Sequence, residues 1–258
     1  MDKKIDRKIR YLKQEAKLGN QEAMLELANI MYPLKGSFSD FLENTYHEGY
    51  NDAKACKLNK YGFGDVKVGD IIKFGSYQQI TDDKEPIKWK ILKIENKKAL
   101  IISQYSLEYK AYNEKREATS WEKCSLRRWL NNEFMKSAFS EDEQNIIQLS
   151  KIEADINPRY KSSQGSNTED KVFLLSIKEV EKYFEGNVDR HCIATKYVVK
   201  DRSFPNGYMY YWWLRSLGYD RRHDCATIVW GNGSINFTGL CVNNLGCVRP
   251  ALWINLTT

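Results

Sequence analysis

Histidine and cysteine carry most nucleophilic and metal chemistry, and this chain spaces both in ways that build no familiar centre. The three histidines are His47, His191 and His223, and none meets another at i, i+2 or i+4. A histidine-rich metal site is therefore not expected. The six cysteines (Cys56, Cys124, Cys192, Cys225, Cys241, Cys247) contain no C-x-x-C pair, which removes the common zinc and thioredoxin spacings. G-x-S-x-G, Walker and G-x-G-x-x-G patterns are absent as well. Arg190-His191-Cys192 sets a histidine beside a thiol. Adjacent side chains of extended chain point to opposite faces, which argues against an activated nucleophile there. Gly231-Asn232-Gly233, lying between strand-like segments, reads as a hairpin turn and not a phosphate loop. Arg127-Arg128-Trp129 falls in an expected helix whose core-facing stripe is Trp129 and Leu130, with the arginines at its rim. No catalytic residue, metal ligand or cofactor is assigned.

The segment after Tyr210 has a different character. Trp212-Trp213-Leu214-Arg215-Ser216 opens it and Val248-Arg249-Pro250-Ala251-Leu252-Trp253-Ile254 closes it. Arginines inside apolar strands cannot be buried without partners except at several kcal/mol. Arg215 and Arg249 are therefore expected to clamp loop carbonyls or carboxylates. Residues 1–209 hold 28 Lys and 19 Glu, whereas residues 210–258 hold none, and no Gln or Met either. Even mixing would place roughly eleven Lys and Glu there. Burial in strands disfavours both types, but Tyr219-Asp220-Arg221-Arg222-His223-Asp224 is polar and still lacks them.

The elements that must position these residues follow from hydrophobic period. Ile5, Ile9, Leu12 and Ala16, then Ala23, Leu27, Ile30 and Met31, recur at helical spacing, with Gly19-Asn20 between them and Pro33 after. A third helix is expected over 39–56. Ala16–Ala28 resembles part of one tetratricopeptide-like unit, though such repeats need neighbours to bury their faces. Residues 1–60 thus read as a small helical module, an appendage or a tether for a partner. Tyr61-Gly62-Phe63-Gly64 is the joint to a domain over 65–258. There the spacing predicts a strand over 66–75 and a hairpin from Ile87–Ile94 through Asn96-Lys97-Lys98 into Ala99–Ser103. Helices are expected at 125–134 and 141–148, a strand at 171–176, and a helix from Ile177 to Phe184 capped by Ser176. Short strands and turns fill 210–254. Helices and strands without βαβ alternation define an α+β class.

Composition bounds the rest. With 42% hydrophobic and 13% aromatic residues, the 258-residue chain can bury a sizeable core. Its net charge of +6 arises from 40 basic and 34 acidic residues interspersed along the chain, a solvated surface and not a nucleic-acid stripe. No segment has the ~18 apolar residues of a membrane span, and Met1–Arg7 has no apolar run behind it, so no export signal is expected. The cysteines are accordingly read as cytoplasmic thiols, with pairing of Cys241 and Cys247 left open.

Trp213-Leu214-Arg215-Ser216, Gly218, Ala226, Gly233-Ser234-Ile235, Gly239, Val242 and Gly246 through Val248-Arg249-Pro250-Ala251-Leu252-Trp253 resemble a bacterial domain-of-unknown-function family with a C-type-lectin-like fold. Val68–Gln79 and Trp89-Lys90-Ile91-Leu92 fit the start of the same domain, so the resemblance covers about residues 65–256. It implies a C-type-lectin-like domain preceded by the helical module. That fold is shared with formylglycine-generating enzymes and with variable proteins of diversity-generating retroelements. In the latter, adenine-directed mutagenesis leaves NNY codons, which encode no Lys, Glu, Gln, Met or Trp; on this reading Trp212, Trp213, Trp230 and Trp253 are framework. By this resemblance the ligand-binding positions are Tyr219, Asp220, Arg221, Arg222, His223, Asp224, Asn232, Asn236, Phe237, Thr238, Leu240, Asn243 and Asn244, with Trp230 placed among them beside its turn. Their chemistry suits a protein ligand. A calcium-dependent sugar site would need a triplet such as E-P-N, which is absent. The resemblance leaves an oxidoreductase of the formylglycine-generating type as an alternative. Cys241 and Cys247 are spaced more widely than that family's copper-binding pair.

Overall fold

A computed structural model describes Phe63 and residues 65–80, 82–162, 165–199, 211–219 and 224–256. The expected helical module at residues 1–60 lies outside them, as do Asp220, Arg221, Arg222 and His223.

Two five-stranded sheets carry the domain. The first has the order β1-β2-β3-β12-β7, formed by β1 (Ile71–Gln78), β2 (Lys84–Glu95), β3 (Lys98–Ser103), β12 (Ala251–Asn255) and β7 (Val172–Phe173). The second has the order β10-β9-β8-β11-β4, from β10 (Ile235–Cys241), β9 (Cys225–Val229), β8 (Trp212–Leu217), β11 (Leu245–Val248) and β4 (Glu108–Ala111). Only the β8–β11 pairing in these two sheets is parallel. A small third sheet pairs β5 (Ser150–Ile152) with β6 (Thr168–Asp170). Helices α1 (Ser125–Trp129), α2 (Met135–Ala138) and α3 (Glu141–Ile146) follow β4; α4 (Ile177–Tyr183), α5 (Asn187–Arg190) and α6 (Lys196–Val199) precede β8. The architecture is α+β, as the sequence leads one to expect.

The β2–β3 hairpin forms where the sequence predicts it. Asn96 and Lys97 both take positive φ, 47° and 61°, the conformation that matches a two-residue turn to the strand twist. On β2 the alternation buries Ile87, Trp89 and Ile91 and turns Lys88 and Lys90 outward. The register shifts between Ile91 and Lys93. This bulge lets Leu92 join the core beside Ile91, so strict period two fails there.

Three boundaries differ from expectation. Val66–Asp70 is a turn, not strand: Asp70 Oδ2 accepts the Lys67 amide at 2.8 Å, Gly69 has φ 94°, and Val68 is exposed. The helix at Ser125 runs beyond 134, through a π-helical turn at Leu130–Phe134 and into α2. Asn131 sits in that turn and bonds Val172 and Lys171, tying it to β7. Strand at 171–176 shrinks to β7 because Ser176 leaves the sheet to cap α4. Its hydroxyl accepts the Glu179 amide while the Glu179 carboxylate accepts the Ser176 amide at 2.8 Å. α3 has the same reciprocal cap through Ser140 and Glu143 and ends at Ile146.

One continuous core joins the sheets through Trp89, Trp212, Trp213, Tyr112, Phe134 and Phe173, all essentially inaccessible. No helix among the described residues is long and apolar enough to cross a membrane.

Candidate surface site

Two buried arginines hold the site's frame. Arg215 on β8 is 4% exposed. It donates to the Leu174 carbonyl at 3.0 Å, the Glu153 carbonyl at 3.3 Å, Asp155 Oδ2 at 3.3 Å and the Glu179 carboxylate. The charge is thus placed between two carboxylates, as its burial requires. Arg249 donates from Nε to the Ser103 carbonyl at 2.9 Å and lies over the rings of Trp212 and Phe184. Arg127 completes a third clamp, donating to the buried Asp170 at 2.6 Å. All three are held within the fold, although Arg215 Nε and Arg249 Nη1 find no hydrogen-bond partner among the described residues.

At the C-terminal end of β8 a cluster forms that faces solvent. Asn157, wholly buried, donates from Nδ2 to the carbonyls of Leu217 and Phe237, both at 2.9 Å. Its Oδ1 accepts the amides of Arg159 and Tyr160 at 3.0 and 3.4 Å. One side chain therefore fixes the 157–160 turn against β8 and β10. Ser162 adds a hydroxyl bond to the Gly218 carbonyl at 2.6 Å. The turn presents Tyr160 against Tyr219, ring centroids 4.7 Å apart, with the Tyr160 hydroxyl 3.1 Å from Thr238 Oγ1. Arg159 stacks its guanidinium 3.8 Å over the Phe237 ring. Tyr219 is 48% and Tyr160 39% exposed, with Ile156 exposed alongside. The cluster thus sets exposed aromatic area beside a guanidinium stacked on a ring.

The remaining expected positions divide by role. Trp230 is 39% exposed, as anticipated, and packs edge-on against Tyr211. This contact lies at the opposite end of β8 from Tyr219, so the expected residues do not form one patch. Asn243 and Asn244 are exposed in the β10–β11 connection. Asn232 is exposed, but its Oδ1 accepts the Ser234 amide and hydroxyl, locking the expected Gly231-Asn232-Gly233 hairpin turn. Asn236 likewise accepts the amides of Thr238 and Gly239 within β10.

One expectation is corrected. Asp224 is buried, not displayed: its Oδ2 accepts Arg116 Nε at 3.0 Å where the chain enters β9. Leu240 and Phe237 are half-buried, each packed in part on the core, and Arg159 stacks over the Phe237 ring. No motif or spacing pointed to Asn157, Arg159 or Tyr160, which lie about sixty residues upstream of the surface they join.

Cys124, Cys192 and the half-buried His191 sit in structural surroundings of their own. Cys124 caps α1, accepting the Arg127 amide, and burial pushes its thiol up to about 12. Cys192 lies 3.4 Å from Ser106 Oγ and bonds the Gln104 carbonyl. Burial, reinforced by the Arg249 charge, brings His191 down to about 4, so it is neutral at pH 7. No cluster of three or more His, Cys, Asp or Glu able to hold a metal occurs among the described residues. The cavity beside Arg215, lined also by Trp121, Ile152, Asp155 and Ser216, is water-sized.

Comparison with known proteins finds no match among curated proteins and none among solved structures. Residues 96–256 match the model of the family described as Domain of unknown function (DUF6273). The match takes in β3 through β12 and covers more than half of the chain, which therefore belongs to that family.

Proposed function

We propose that this domain is a non-catalytic binding module with a C-type-lectin-like scaffold, and that its ligand is a protein. The observation that carries this reading is the Tyr160–Tyr219 pair, held rigid by Asn157 yet open to solvent. Aromatic rings fixed before binding lose little entropy on contact, which is why such residues dominate binding surfaces. Arg159, stacked over Phe237, and Thr238, bonded to Tyr160, bring polar groups to the same place. Diversification by a retroelement is part of the proposal. It is supported by the absence of Lys, Glu, Gln and Met from residue 210 onward. A cytoplasmic placement completes it, with Cys225 and Cys241 resting as thiols.

The test has two arms. Sequencing around the gene is expected to reveal a reverse transcriptase and a near-identical template repeat; without a repeat, diversification is lost. A partner recovered with the full chain is expected to bind Tyr160→Ala/Tyr219→Ala at least tenfold more weakly, about 1.4 kcal/mol. Arg128→Ala, on α1 with its guanidinium on the Lys123 carbonyl, should bind as the parent does. Equal loss in both variants refutes the surface. Stoichiometric copper or iron in purified protein would instead favour the oxidoreductase alternative.

A further inference from the structure

β9 and β10 pair antiparallel with Cys241 directly opposite Cys225. The adjoining amide of Val242 donates to the Asp224 carbonyl at 2.8 Å. A hydrogen bond at the neighbouring pair makes the cysteine pair the non-hydrogen-bonded kind, in which Cα atoms approach to about 4.5 Å and the side chains leave the sheet on one face. That separation falls within the ~4.4–6.8 Å that a disulfide spans. We propose that Cys225 and Cys241 are a reversible redox site, joined by a cross-strand disulfide when the surroundings turn oxidising.

Accessibility separates this pair from the other described thiols. Cys124, Cys192 and Cys247 are buried, whereas Cys225 and Cys241 are each partly open to solvent. Cys225 Sγ donates to Asp224 Oδ1 at 3.6 Å, and the same carboxylate accepts Arg116 Nε at 3.0 Å through its other oxygen. A carboxylate that holds the Cys225 proton opposes attack by that sulfur. Cys241 is therefore the attacking group.

The co-reactant is a small disulfide such as oxidised glutathione. The Cys241 thiolate attacks one of its sulfurs, breaking the S–S bond, forming a mixed disulfide and releasing one glutathione thiolate, which takes up a proton. Cys225 then loses its proton to solvent and attacks Cys241 Sγ. The protein disulfide forms, and the second glutathione leaves as thiolate and is protonated. Two protein thiols are oxidised and one glutathione disulfide is reduced to two thiols. The bond would cross-link the start of β9 to the end of β10. Tyr219 connects to the same strands: the Gly218 amide donates to the Cys225 carbonyl and the Tyr219 amide to the Thr238 carbonyl. The clasp would thus stiffen the end of the sheet that carries the tyrosine pair.

The test uses the full chain with Cys56→Ser, incubated with millimolar oxidised glutathione and no ligand, then digested and mapped by mass spectrometry. The expected product is a peptide linking Cys225 to Cys241, lost on adding dithiothreitol. Adding Cys225→Ser should trap glutathione on Cys241; adding Cys241→Ser should slow uptake at Cys225 at least tenfold. Stable glutathione adducts on both cysteines of the parent, a link from either to Cys247, or no reaction would each overturn the proposal. Because no ligand takes part, these outcomes leave the recognition reading untouched.

Discussion

Replacing Arg215 by methionine keeps most of the side chain's volume and removes its charge. The guanidinium sits between Glu179 and Asp155 and also donates to the carbonyls of Leu174 and Glu153. Without it, two carboxylates remain 23% and 14% exposed with no guanidinium between them. Removing one partner of a buried ion pair costs about 3–5 kcal/mol. Both carboxylates retain some water, and Lys178 stays near Asp155 at 3.4 Å, so about 3 kcal/mol is the expected loss. For a domain of this size that corresponds to a melting temperature lower by roughly 6–12 °C. Urea unfolding at pH 7, followed by far-ultraviolet circular dichroism, should show the midpoint moving down at constant slope. Arg215→Met/Glu179→Gln should recover part of the loss by removing one stranded charge, although Glu179 also serves the Ser176 cap. A single-variant loss under about 1 kcal/mol would refute the reasoning, because it would mean that the clamp contributes no more than an exposed pair.

Other substitutions probe the frame separately. Gly239→Ala puts a Cβ 2.3 Å from the Ala226 carbonyl oxygen at φ 79°; overlap and left-handed strain together should cost about 2–4 kcal/mol in urea unfolding. Asn157→Ala leaves two strand carbonyls short of a donor and should cost about 2–3 kcal/mol, with amide hydrogen exchange speeding up at Arg159 and Tyr160. His191 has a folded pKa near 4 because of burial first and Arg249 second, against 6.5 unfolded. The unfolded chain therefore gains this proton first, so stability falls as pH drops from about 6.5 to about 4 and the effect is complete below that. Partial exposure keeps the loss to about 2 kcal/mol. His191→Gln should remove this slope from the pH dependence of the urea midpoint; an unchanged slope would show that other groups produce it.

What the sequence discloses and what it hides divide along a physical line. Local geometry is legible: Asn96-Lys97 makes its turn, Ser176 and Glu179 make their reciprocal cap, and Gly231-Asn232-Gly233 joins β9 to β10. Buried charge is legible too, since an arginine amid tryptophan and leucine must find acceptors, and Arg215 does. Surface identity is only partly legible, because polarity alone does not say whether a group faces water or a neighbour. Asp224, Asn232 and Asn236 look alike in a polar run, yet one is buried against Arg116 and the other two close turns on themselves.

Long-range docking is not legible at all. Nothing near Tyr160 announces that Asn157 will bridge two strand carbonyls from residues 217 and 237. Likewise, the opposition of Cys225 and Cys241 depends on an irregularity that no spacing rule supplies. The pairing steps from Asn236↔Ile228 to Leu240↔Ala226, so four residues on β10 advance against two on β9. An unbroken ladder from Asn236 would have set Cys225 opposite Gly239 and left Cys241 two positions past it, with no thiol across from it. Gly239, at φ 79° and where any Cβ would meet the Ala226 carbonyl, permits that slip. The same glycine thus fixes how β10 meets β9 and whether two thiols can meet. Gly239→Ala should accordingly lower the yield of the Cys225–Cys241 link even where the domain remains folded, and an undiminished yield would separate the two roles.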